Sequence, residues 1–380
     1  MMHDGRIISS DSHVVEPPDT WTGRLPAKYG DRAPRVVQDS DGDWWMVDGV
    51  RTNSFQGGAQ TGKRFERPDE LRPAGRFADV RPGAYDPEQF LADNDLDGVW
   101  GSVIYPTEGL SLYQVPDGEL LTAIFAAYND WLAEFCRYAP ARVKGIATIH
   151  VEDVAAAIAE LTRARTLGLV GAMITVGPAE TASYDRPEYE PFWAAAQDLE
   201  LPLSLHIATF RPSPGIAYED NRTARPGLIA TWDRYVKVSL AHMILSGIFE
   251  RYPRLRVGSV EHELGWVPFF LDRLDYTYTQ RARRPWWHRF KEGLPSDFFR
   301  RNVFLSFQED SLGMRDRALI GVDQMMWGSD YPHTESTFPQ SQKLLDRVFA
   351  GVSDDERRRI TCDNAAALYG FEIEAAIGGR

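Results

Sequence analysis

Cysteine is scarce in this chain of 380 residues. It has two, Cys136 and Cys362, far apart and in no CxxC pair. That excludes a disulfide framework, a zinc finger and a thioredoxin-type redox site. Positive charge is also short, with a formal net charge of −13. An acidic surface repels phosphate, which argues against a nucleic-acid partner and weakly against anionic membranes. No apolar run approaches the length of a membrane span, and the first ten residues lack the apolar stretch of a signal peptide. The cytoplasm is therefore the expected location. No internal repeat, low-complexity tract or GxGxxG turn after the first apolar run is present.

What is present is an ordinary globular composition, 43% hydrophobic and 26% charged, in a chain long enough to bury a large core without staples. Short apolar runs read as buried parallel strands: 6–10, 98–105, 143–150, 170–176, 201–206, 255–261, 303–307 and 324–329. Helical patterns follow them, at 153–167, near Pro187, through 229–251, from about Gly265, at 339–350 and at 354–369. Eight strands alternating with helices predict a (β/α)₈ TIM barrel, with an open doubly wound sheet as the rival. The barrel is read as one domain, 1–380. Long loop insertions follow strands 1, 5 and 6, at 17–85, 209–225 and 281–301. Asp41-Gly42-Asp43 and the following Trp44-Trp45 run suggest a small hairpin within the first. The insertions are expected to act as lid or substrate wall, or else as solvated decoration.

Chemistry-bearing residues gather at the predicted strand ends, where barrel enzymes keep their active sites. Asp11-Ser12-His13-Val14-Val15-Glu16 leaves the first strand. Asp11 and His13, two apart, share one face. This is a metal claw or, equally, a turn built from Asp, Ser and His. His206 ends the fifth run and could be a ligand or a core histidine. Glu261-His262-Glu263 follows the sixth, three ionisable groups that are costly to bury without partners. Asp330 and His333 follow the eighth. His150, His242, His288 and Glu309 are weaker candidates. Arg211, Arg222 and Arg225 could bind an anion or simply face solvent. Four strand ends carrying His and carboxylates together point to a metal centre.

These motifs, with Leu245-Ser246-Gly247-Ile248-Phe249-Glu250-Arg251-Tyr252-Pro253, Gly265-Trp266-Val267-Pro268 and Trp327-Gly328-Ser329-Asp330-Tyr331-Pro332-His333, resemble the amidohydrolase-related family. That family includes aminocarboxymuconate-semialdehyde decarboxylase and the resorcylate-type decarboxylases. The resemblance covers nearly the whole chain. It implies ligands at Asp11, His13, His206 and Asp330, with His262 as the catalytic histidine. Asp11 and the added Glu16 depart from the decarboxylase pattern, as do Glu261 and Glu263 around His262. No lysine ends strand four, where the hydrolytic branch often carries a bridging one.

So many acids on one rim suggest two divalent ions, and oxygen donors with imidazole suit iron or manganese. The variant motifs are similar to a branch that activates dioxygen at a non-heme di-iron centre, as in the diterpenoid hydroxylation of platensimycin and platencin antibiotic biosynthesis. The resulting expectation is an O₂-dependent monooxygenase with two Fe ions. Its metal ligands would be Asp11, His13, Glu16, His206, His262, Glu263 and Asp330, with Glu261 and His333 next in rank. His262 and Glu263 would be catalytic. The substrate would be hydrophobic, terpenoid-like and linked to coenzyme A, walled by Trp44, Trp45, Trp286 and Trp287. An external electron donor would be required, and a homodimer is expected. The alternative is a decarboxylase or amidohydrolase holding one Zn or Mn and acting on a small carboxylated substrate.

Overall fold

The computed structural model describes residues 5–211, 226–281 and 284–373. Eight parallel strands form one sheet: Ile8–Val14, Gly101–Pro106, Val143–Thr148, Gly171–Gly177, Leu203–Phe210, Val257–Val260, Val303–Phe307 and Met325–Trp327. They neighbour one another in chain order. The first and last come together just beyond the eighth strand, where Asp330 N–H donates to the Asp11 carbonyl at 2.9 Å and His13 N–H to the Tyr331 carbonyl at 2.6 Å. This is a nearly closed barrel, as the alternating pattern predicts. Among the described residues, no helix is long and apolar enough to cross a membrane.

The strands are buried on both faces, which is why they read as continuous apolar runs. The interior beside strands one, seven and eight is instead a layer of small hydroxyls. Ser10 meets Ser306 at 2.7 Å, and Ser9 meets Ser329 at 3.1 Å and accepts from Ser12 at 2.8 Å. Side chains this small let strands one and eight approach closely. A Cβ added to Gly328 would lie 2.6 Å from the Asp11 Cβ.

The helices carry conventional end signals. Asp86, Asp117 and Asp153 each cap a helix through their side chains, and Gly98 and Gly168 end two of them in the left-handed conformation. The expected helix through 229–251 is broken into Pro226–Ile229, Asp233–Leu245 and Ile248–Arg251, the last break falling at Gly247 with φ +79°.

The first insertion holds a three-stranded antiparallel sheet, Arg35–Gln38, Asp43–Val47 and Val50–Ser54. The insertion folds back over the C-terminal ends of the barrel strands. Thr61 Oγ1 donates to the Pro332 carbonyl at 2.5 Å, and Arg64 binds the Ser336 carbonyl and Glu309. Arg81 grips Asp93 with two hydrogen bonds, and the same carboxylate accepts from the Tyr331 hydroxyl. The predicted insertion 209–225 lies mostly outside the described residues. Of the third, Trp286 is 78% exposed and His288 pairs with Glu250 at 3.0 Å.

Asp97, at the end of the helix Pro87–Asp97, accepts from the backbone and hydroxyl of Ser341. Burial raises its carboxyl to about 6 from the usual 3.8. The folded chain therefore binds this proton more tightly than the unfolded chain. The stability it contributes is present below about pH 4 and is lost as pH rises through 6. Asp97→Asn is expected to gain on the wild type by about 2 kcal/mol between pH 4.5 and 7.5. Urea unfolding of both proteins at the two pH values checks this.

Candidate metal centre

Strand one runs further than its apolar residues suggest and contains both Asp11 and His13 on one side. Strand five delivers His206, and the turns after strands six and eight deliver Glu261 and Asp330. Ligand atoms of Asp11, His13, His206 and Glu261 all lie within 4.8 Å of one another, and His13, Asp330 and His333 form an overlapping group. The His13 Nε2 atom is 3.3 Å from both Asp11 Oδ1 and Asp330 Oδ1. His206 Nε2 is 3.5 Å from Asp11 Oδ1 and 3.6 Å from Glu261 Oε2.

Tautomers decide what these contacts mean. His13 Nδ1 faces the Pro106 carbonyl at 2.8 Å, and His206 Nδ1 faces the Ile207 carbonyl at 3.0 Å. A carbonyl only accepts, so each Nδ1 carries the proton. In the neutral rings each Nε2 is then a bare lone pair pointing at a carboxylate lone pair. Asp11 Oδ1, His13 Nε2, His206 Nε2, His262 Nε2 and Asp330 Oδ2 are all buried with no hydrogen-bond partner. Such an arrangement is repulsive unless a cation sits within it. Histidines oriented through Nδ1–H by a backbone carbonyl, with Nε2 free, fit metal ligation.

The protonation tendencies agree. Burial pushes His13 down to about 3, helped by neighbouring His333, and burial pushes His262 down to about 3, helped by His206. Burial also opposes the charge on Asp11, but the imidazoles of His206 and His13 outweigh it and hold the carboxyl below its usual range. Against burial, Asp11 and then Glu261 raise His206. Burial and the nearby Asp330 raise Glu261; burial and the nearby Asp11 raise Asp330. The cluster thus holds protons that a metal ion would displace. Glu261, Glu263 and Asp330 all sit at positive φ, 61°, 57° and 58°. That is strained backbone for non-glycine residues, concentrated at the mouth.

Of the seven residues expected as ligands, Asp11, His13, His206 and Asp330 converge. His262 lies beside them, close enough to feel the charges of His206 and Asp11, with Nδ1 3.2 Å from the Ser259 hydroxyl. Glu16 and Glu263 do not join. Glu16 accepts from the amides of Glu108 and Gly109 at 2.9 and 3.0 Å, at the start of the short helix Glu108–Leu112. Glu263 accepts from the amides of Gln308 and Glu309, both at 3.2 Å, and burial raises it to about 7. Backbone amides, and no cationic side chain, partner these two acids, and burial still raises both above their usual range.

Two residues ranked behind the seven move forward. Glu261 is within the cluster. His333 donates through Nδ1 to Asp330 Oδ1 at 2.7 Å, stacks on His13 at 4.0 Å and meets the Thr107 hydroxyl at 2.9 Å. Thr107 and Tyr105, whose ring lies 5.0 Å from that of His206, carry no local signal as lone polar positions on an apolar strand end.

Arg211 is no anion clamp. Four of its five N–H donors go to Glu152 and to the carbonyls of Tyr113 and Val115. Arg222 and Arg225 lie outside the described residues. Trp45 packs on Trp21 and Phe55 near Glu16, while Trp44 is buried beneath Arg51.

A barrel with His and carboxylate ligands at its strand ends is the architecture of the amidohydrolases. Residues 39–371 match the amidohydrolase family, and the chain belongs to it. Among individual relatives, it is 28% identical over 279 residues to gamma-resorcylate decarboxylase of Rhodococcus jostii, covering 67% of this chain and 79% of that one. An amidohydrolase from Mycobacterium avium subsp. paratuberculosis superposes with a TM-score of 0.77 at 23% identity, over 98% of this chain and all of the other. A dihydroxybenzoic acid decarboxylase from Polaromonas sp., solved with manganese and 2-nitroresorcinol, gives 0.65 at 18% identity over 97% of both chains.

These findings overturn the oxygenase expectation. The curated relatives matched are decarboxylases, which are lyases and not oxidoreductases. A monooxygenase of antibiotic biosynthesis with two irons, a coenzyme A-linked substrate and an electron donor finds no support. The physical reason is the one above: acids counted toward a second ion are already satisfied by amides.

Asp11→Asn and His206→Ala are expected to weaken divalent-metal binding at least about 10–100-fold. Glu16→Gln should retain the metal and lose about 1–3 kcal/mol of stability, because its amide would set an N–H against a backbone N–H. Metal content after dialysis and thermal unfolding of each variant separate the two outcomes.

Proposed function

We propose that this protein is a non-oxidative, divalent-metal-dependent decarboxylase of a small carboxylated phenol, with manganese or zinc as the metal. The observation that carries the reading is the buried cluster of bare lone pairs on Asp11, His13, His206 and Asp330, in a chain whose curated relatives are decarboxylases. Asp11, His13 and His206, with Glu261, would hold the ion. When bound, it supplies a Lewis acid that fixes and polarises substrate oxygens.

The remaining work falls to the chain itself. Asp330 keeps Oδ1 occupied by His333 and leaves Oδ2 bare, and burial raises it well above the ordinary carboxyl range. With Oδ2 bare, it is placed to carry a proton and to give it to the substrate. In the step proposed, the bond between the ring carbon and the carboxylate carbon breaks and its electron pair stays on the ring carbon. That carbon takes the proton from Asp330, and carbon dioxide leaves. His333 orients Asp330 and steadies the carboxylate left behind. Neutral His262, with Nε2 bare, is placed to hydrogen-bond a phenolic hydroxyl or a carboxyl oxygen. The insertion pinned over the strand ends excludes water from the developing carbanion.

Incubating the manganese-loaded protein with a panel of ortho-hydroxybenzoates should release carbon dioxide with no oxygen consumption. Asp330→Asn should lower kcat by about 10²–10⁴-fold while the protein stays folded. Oxygen uptake with a hydroxylated product would overturn the reading.

A further inference from the structure

A cavity of about 340 Å³ opens at the other end of the barrel, between the residues that precede strands five, six and eight. Its wall includes Leu201, Pro202, Arg254, Arg256, Asp323 and Asn364. The volume falls in the range of small-molecule pockets, about 300–1,000 Å³. It is remote from the strand ends that carry the metal cluster, and nothing in the decarboxylase reading uses it.

Arg256 is the informative residue. It is half-buried, and its Nε atom is fully buried with no hydrogen-bond partner. Among the described residues no carboxylate lies within ion-pair distance of its guanidinium and no acceptor reaches it. Burial disfavours its charge, and the one influence opposing it comes from Tyr369. An arginine cannot shed its proton in a protein, and the partly exposed end of this guanidinium lines the cavity, where an anion could meet it. The other charges along the wall are largely committed. Asp323 is paired with Arg359 at 2.5 Å, and Arg254 reaches Asp198 at 3.4 Å on the surface. Glu200 is exposed at the rim. Asn364 spends its amide group on the carbonyls of Val322 and Met325, which fixes the wall between strand eight and the last helix. The result is a preformed cavity of mixed polar and apolar lining, with one guanidinium that no protein group among the described residues pairs and a second arginine at its edge.

We propose that this cavity binds a small oxyanion, a carboxylate or a phosphate, against Arg256 with Arg254 beside it. A guanidinium offers two parallel N–H donors that match either group. Bound there, the anion would bridge the starts of strands five, six and eight and brace the base of the barrel.

The test uses the full-length, manganese-loaded protein and two probes, inorganic phosphate and benzoate, in thermal-shift and calorimetric titrations. The expected result is a saturable rise in thermal midpoint with at least one probe, and a loss of affinity of about tenfold or more in Arg256→Met. The decarboxylation rate of that variant should be unchanged. Response to phosphate alone identifies a phosphorylated ligand, and response to benzoate alone identifies a carboxylate. Equal shifts in wild type and variant, or no shift with either probe, overturn the proposal. Should Arg256→Met fail to fold, arginine-directed labelling of the wild type read by mass spectrometry decides. Protection of Arg256 by the anion supports the site, and labelling at an unchanged rate refutes it.

Discussion

Lone pairs facing lone pairs dominate the upper end of this barrel. Two imidazoles, each locked by a backbone carbonyl into the tautomer that bares Nε2, point at carboxylates of Asp11, Asp330 and Glu261. Among the described residues no cationic side chain of lysine or arginine lies between them, so protons, or a metal ion that displaces them, must relieve the repulsion. A divalent ion would convert the contacts from unfavourable to favourable, and much of the surrounding structure serves to hold them in place. Serine hydroxyls replace large side chains behind strand one, Gly328 lets Asp11 sit against strand eight, and three strand-end acids are kept at positive φ. Each feature is costly or merely neutral for folding and useful only if the mouth binds something.

The same reasoning explains why the acid count misled. Sequence order shows that Glu16 and Glu263 leave strand ends near histidines, and like charges in close succession ask for compensation. It does not show what supplies that compensation. Glu16 lies at the start of a short helix and Glu263 against the loop after strand seven, and in both cases two backbone N–H groups meet the carboxylate. Amide donors are invisible in a sequence because every residue except proline has one. A two-ion centre inferred from carboxylates alone therefore overcounted by the acids that backbone absorbed.

Much of the fold was legible, because strands buried on both faces must be apolar throughout and a barrel repeats that signal eight times. Boundaries shifted where polar residues continue a strand. Strand one extends through Asp11 and His13 to Val14, and strand five continues beyond His206 to Phe210. Periodicity reads such residues as a strand's end, whereas the backbone ladder continues under them. The break at Gly247 leaves no trace for the opposite reason, since an isolated glycine inside an amphipathic pattern is often tolerated. In the site, residues two apart on a strand could be placed on one face from spacing. The pairing of His333 with Asp330 and Thr107 depended on a loop conformation and on a distant chain segment, neither of which leaves a periodic trace.

The most direct measurement is a crystal of the manganese-soaked protein with anomalous diffraction recorded at the manganese edge. A single peak bonded at about 2.0–2.2 Å to His13 Nε2, His206 Nε2 and an Asp11 oxygen is the predicted result. Two peaks bridged by Glu16 or Glu263, or no peak within the His13–His206 cluster, would contradict it.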